Sequence, residues 1–111
     1  MGYDILSNTS PKTWHCVQHG FRFYIYLAEH FGWVPEHDES DFYMGNDWQV
    51  VTTEDALKLA RALKLAMVYI EKVQPVDMVA DGEILATFNK DDIDHLADLV
   101  DLACCGEFTI A

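Results

Sequence analysis

Lysine and arginine are scarce in this chain: seven face nineteen aspartates and glutamates, for a formal net charge of −12. A surface so poor in cations repels nucleic acid and anionic membranes, so neither is expected as a partner. Cysteine is nearly as sparse, with three residues, of which Cys104 and Cys105 are adjacent. That makes neither a disulfide framework nor a redox Cys-x-x-Cys pair. Long apolar runs are missing too. The most apolar stretch, Phe21 to Ala28, is interrupted by Arg22 and is well short of the ~20 residues a bilayer crossing needs. Met1 to Thr13 has no basic segment leading into an apolar one, so no secretory leader is expected. Gly-rich phosphate loops, a nucleophile elbow and a dinucleotide fingerprint are all absent. The balance therefore leans away from an enzyme without deciding it, and a soluble, reduced, cytoplasmic protein is expected.

Against these absences stand a 50% hydrophobic content and fourteen aromatic residues in a chain of 111, which disfavour disorder despite the charge. No repeat, low-complexity tract or linker divides the sequence, so residues 1–111 are expected to form one domain. The charge is uneven. Residues 53–73 carry Lys58, Arg61, Lys64 and Lys72 against Glu54, Asp55 and Glu71, a net of +1, whereas the rest of the chain holds only Lys12, Arg22 and Lys90 as cations.

The hydrophobic spacing predicts three helices. Ser10-Pro11 reads as a helix cap followed by a first-position proline, opening a helix over 12–31 on which Val17, Phe21, Tyr24, Ala28 and Phe31 recur. Gly20 weakens the middle of that helix, and Gly32 is its expected stop. Thr52 or Thr53 caps a second helix whose apolar seam is Ala56, Leu59, Leu63, Ala66, Ile70 and Val73. Leu57, Leu65 and Val68 widen the seam, predicting burial on more than one side. Asn89 caps a third helix through Cys104, with Ile93, Leu96, Ala97, Val100 and Cys104 inward. Short strands are expected at 3–6, 48–52 and 108–110. Residues 33–47 read as an acidic loop, and 74–88 as turns with a strand or helical turn at 84–88. The expected fold is α+β: three helices with a small antiparallel sheet of two to three strands.

Several landmarks together resemble a set of small uncharacterised bacterial proteins. They are the opening Met-Gly-Tyr-Asp-Ile, the Ala28-Glu-His-Phe-Gly-Trp-Val-Pro35 end of an aromatic helix, Val51-Thr-Thr-Glu-Asp-Ala-Leu-Lys-Leu-Ala60, and the close Gly106-Glu-Phe-Thr-Ile110. Glu107 stands where the group often has a second glycine. The resemblance covers most of the chain and implies a stable shared fold. It brings no activity and no catalytic residue.

Candidate functional residues fall into three sets. His15 and His19, four apart on the first expected helix, have the spacing that lets two imidazoles share a divalent metal, with a third ligand drawn from His37, Asp38 or Glu39. Asp94, Asp98 and Asp101 line one side of the third helix, and Asp38, Glu39 and Asp41 crowd the acidic loop. These six carboxylates are the expected docking residues for a basic protein partner. Trp14, Phe21, Phe23, Tyr24, Tyr26 and Phe31 wrap so much of the first helix that some could remain exposed as an interface. The leading expectation is a small acidic protein-binding module, such as an inhibitor or immunity-type protein for a basic toxin or nuclease. The alternatives are a metal-binding protein built on His15 and His19, and a homodimer packed through the first-helix aromatics.

Overall fold

The computed structural model describes residues 3–16, 20–36 and 49–111. Its elements run β1 (Tyr3–Ser7), β2 (Thr13–Cys16), α1 (Gly20–His30), β3 (Gln49–Val51), α2 (Thr53–Lys72), β4 (Val76–Ala80), β5 (Glu83–Phe88), α3 (Ile93–Ala103) and β6 (Phe108–Ile110). A single 3-10 turn, Lys90–Asp92, leads into α3. The fold is α+β as expected, but its strands are more numerous. Four form one sheet in the order β2-β1-β6-β3, and two form the separate hairpin β4-β5, all antiparallel.

The largest departure from expectation lies at the N-terminus. Ser10-Pro11 does not open a helix; it sits in the connection of a β1-β2 hairpin. The Ser7 hydroxyl accepts from the Ser10 amide at 3.1 Å, and the Ser7 amide donates to the Lys12 carbonyl at 3.1 Å. Side-chain acceptors of this kind offer the backbone a turn in place of a helix. Thr13–Cys16 then pairs with β1, placing Ile5 opposite Trp14 and Asp4 opposite His15. The first helix is correspondingly short and starts at Gly20.

Trp14 fixes this hairpin to the core. Its indole is only 4% exposed, and its Nε1–H donates to the His95 carbonyl on α3 at 2.9 Å. The ring packs edge-on against Tyr24 of α1, with centroids 4.9 Å apart, and stacks on the His95 ring at 4.4 Å. Strand alternation explains the rest: with Trp14 inward, His15 must face solvent.

Helix α2 forms as the sequence dictates. Thr52 accepts from the Asp55 amide at 3.3 Å, Glu54 and Asp55 sit in the positive first turn, and Lys72 lies in the last. Ala56, Leu59, Leu63, Ala66 and Ile70 are buried as one seam. Val73, however, is 65% exposed, and Leu57, Leu65 and Val68 face outward as well, so α2 packs on one side only. On α3 the buried set is Leu96, Leu99, Val100, Leu102 and Ala103, while Cys104, expected inward, is exposed.

Two left-handed residues, Asp81 (φ 53) and Gly82 (φ 80), close the β4-β5 hairpin. That is the geometry of a two-residue turn matched to strand twist, and Asp-Gly is a preferred sequence for it. Gly106, at φ +103, brings the chain out of α3 so closely over α2 that an added Cβ would lie 3.4 Å from Thr53 Cγ2. From there Phe108–Ile110 enters the centre of the sheet between β1 and β3. One continuous core joins Ile5, Trp14, Phe21, Leu27, Leu63, Phe88, Leu99 and Phe108.

Candidate functional site

The sheet and α3 meet in a shallow cleft of about 360 Å³, lined by Lys12, Thr13, Trp14 and His15 from β2 and its approach, and by His95, Asp98 and Asp101 from α3. Residues taken from two separate sequence arguments converge here. His15 comes from the expected metal pair, and Asp98 and Asp101 come from the expected docking stripe. Trp14 holds the two walls together through the His95 carbonyl and ring.

His15 is bound to the first strand. Its Nδ1 lies 2.6 Å from Asp4 Oδ1, across the Asp4–His15 register pair. An ionised carboxylate can only accept, so Nδ1 carries the proton and Nε2 of a neutral ring is left as an acceptor. Both side chains are more than half exposed, at 53% and 64%, which makes the pair a weak contributor to stability. Because His15 lies on a strand, the one-turn helical spacing that motivated a metal shared with His19 does not apply to it. His19 itself lies outside the described residues. Among the described residues, no three of His, Cys, Asp and Glu come together in a way that could hold a metal ion.

Asp94, Asp98 and Asp101 occupy the outward side of α3, all exposed and all without an ion pair among the described residues. Asp101 stands in the last turn of α3, where the dipole disfavours negative charge, so the fold gains nothing from its position. Asp38, Glu39 and Asp41, and His37 with them, lie outside the described residues. Cys105 donates its thiol to the Asp101 carbonyl at 3.4 Å and has no imidazole partner among the described contacts.

The first-helix aromatics are largely buried. Phe21, Phe23 and Tyr24 belong to the core, and among the described residues Tyr26, 43% exposed, is the one exposed large aromatic. Among the described residues, Phe23 and Tyr26 of α1 line a groove with the β4-β5 hairpin. The Arg22 guanidinium lies 5.0 Å from the Phe23 ring centroid and shields it.

Sequence reasoning missed three members of this region. Asp4 and His95 carried no signal on their own, and Trp14 was assigned to a helix. A hairpin reading of Ser7 to Pro11 would have exposed the Asp4–His15 pair. A fourth missed residue is Asp55, the one described charged side chain in the core, at 0% exposure. Its Oδ1 accepts from the Glu36 amide at 2.8 Å, and its carbonyl accepts from Trp33 Nε1 at 3.2 Å. This anchors the segment leaving α1 to the first turn of α2.

Beside it, Glu36 hydrogen-bonds with Glu54 and feels its charge, which holds the Glu36 carboxyl above the ordinary glutamate range. Partial burial raises Glu29 likewise.

No helix among the described residues is long and apolar enough to cross a membrane. Comparisons with protein-family models, with curated proteins and with solved structures return no match.

Proposed function

We propose that this chain is a small cytoplasmic protein-binding module, and that the acidic side of α3 docks a basic protein surface. The observation that carries the reading is the state of Asp94, Asp98 and Asp101. They are exposed and unpaired among the described residues, and Asp98 and Asp101 border a cleft shared with His15. Exposed carboxylates that concentrate on one face provide the complementary field that speeds and selects association with a cationic partner. An inhibitor or immunity-type role toward a basic toxin or nuclease fits such a face. His95, stacked on the buried Trp14, forms part of the cleft wall, and Asp98 and Asp101 supply its polar rim.

The test is capture of basic proteins on the immobilised chain. Each captured protein is then titrated against the wild type and against Asp94→Asn/Asp98→Asn/Asp101→Asn. The triple variant should associate roughly tenfold or more slowly, with a shallower dependence on salt. Equal rates and equal salt slopes for the two proteins would refute the docking face.

A further inference from the structure

Ten large apolar side chains are exposed among the described residues, and seven of them gather on two surfaces. The first is the outer side of α2 with its neighbouring loop: Val34, Leu57, Leu65 and Val68. A groove of about 330 Å³ opens there between the end of α1 and α2, where Trp33 and Ala62 meet Val34, Leu65, Lys58 and Arg61. The second is the distal half of the β4-β5 hairpin, where Val79, Ile84 and Leu85 are exposed. The strand register shifts between Met78 and Val79, and pairing resumes beyond that irregularity at Val79 with Ile84.

The two segments differ in charge, and Arg22 of α1 lines the hairpin's groove beside Asp77, Val79 and Leu85. Four of the chain's seven cations lie on α2, and Arg61 and Lys64 are exposed there with no ion pair among the described residues. The hairpin segment 74–88 contains Asp77, Asp81 and Glu83 and no cation at all. An apolar, acidic hairpin and an apolar, basic helix face on the same chain are complementary to each other. We infer that the occupant of the α2 groove is a second copy of this chain, which inserts its β4-β5 hairpin tip beside Arg61 and Lys64. Each copy carries both halves, so a two-fold arrangement makes the contact twice and closes as a dimer. The contact is separate from the acidic α3 face and does not depend on its role.

Two charge-reversed variants test the contact. One is Asp77→Lys/Glu83→Lys, which leaves Asp81 in place because its φ is 53. The other is Arg61→Glu/Lys64→Glu, which leaves Lys58 in place because it is paired with Glu54 at 3.3 Å. Sedimentation velocity at physiological ionic strength, where a Debye length of about 8 Å screens the distant net charge, reads the oligomeric state. The wild type should dimerise as its concentration rises, and each variant alone should lose the dimer. An equimolar mixture of the two variants should regain it, because the reversed hairpin of one then meets the reversed helix of the other. Circular dichroism confirms that each variant is folded. If either is not, Glu83→Gln and Lys64→Gln replace the reversals and should weaken dimerisation measurably. A wild type that stays monomeric at every concentration, a dimer indifferent to both reversals, or a mixture that fails to re-associate would each overturn the inference.

Discussion

Replacing Trp14 separates the observed fold from the one its local sequence suggests. In the structure the indole is 4% exposed, bonded to the His95 carbonyl and packed edge-on against Tyr24 and Phe21. Truncation to alanine removes a fully packed ring from a core that cannot collapse around the space, at a cost of about 3–5 kcal/mol. Phenylalanine keeps most of the apolar contact and loses the Nε1–H donor, so Trp14→Phe should cost about 1–2 kcal/mol, mainly the bond and the unpaired carbonyl. For a domain near this size, about 4 °C of melting temperature per kcal/mol puts the alanine variant roughly 12–20 °C below the wild type. Since a domain's whole stability is about 5–15 kcal/mol, the effect is large enough to leave no ambiguity. Urea titrations followed by far-UV circular dichroism give both values on one scale. A loss below about 1 kcal/mol for Trp14→Ala would refute the placement of β2 on the core, because solvent-facing positions tolerate truncation at that level.

Three further outcomes follow from particular contacts. Asp55→Ala strands the Glu36 amide, so urea titration should show a loss of about 1–3 kcal/mol, against under about 0.5 kcal/mol for Asp94→Ala on the exposed face. Gly106→Ala forces a Cβ onto a residue at φ +103, 3.4 Å from Thr53, and should lower stability by more than about 1 kcal/mol; an unchanged melting temperature would contradict the left-handed turn. The raised Glu36 carboxyl binds its proton more tightly in the folded state than in the unfolded chain. Its contribution to stability is therefore present at acid pH and lost as pH rises through the folded-state value. Glu36→Gln should abolish that fall, and melting curves that decline identically above the ordinary glutamate range would count against the Glu36–Glu54 contact.

The candidate site was legible only in pieces. Asp94, Asp98 and Asp101 announce an exposed stripe, because acids spaced by three and four residues on an amphipathic helix must face away from its apolar side. His15 was noticed for its distance along the chain from His19, and its partner proved to be Asp4, eleven residues back across a hairpin. Spacing within a segment has meaning only once the segment's periodicity is known, and residues 12–16 are too few to show whether it is two or 3.6. Asp55 was read correctly as favourable to the α2 dipole, yet its burial under Trp33 and Glu36 depends on a segment that precedes it by some twenty residues.

By itself the sequence determined α2 and most of α3, the Thr52 cap, the Asp81-Gly82 turn and the α+β class, whereas Asn89 caps the 3-10 turn Lys90–Asp92 and not α3 itself. Each of these rests on interactions that close within one helical turn or one hairpin, so nearby residues suffice to specify them. Tertiary structure alone decided that Trp14 belongs to a strand, that β6 lies at the sheet's centre, and that Leu57 and Leu65 of α2 point into solvent. It also joined His15 to Asp98 and Asp101 in one cleft. Those outcomes depend on which apolar faces find partners elsewhere in the chain. A face's hydrophobicity is written in its own residues, but whether it is covered is a property of what folds against it.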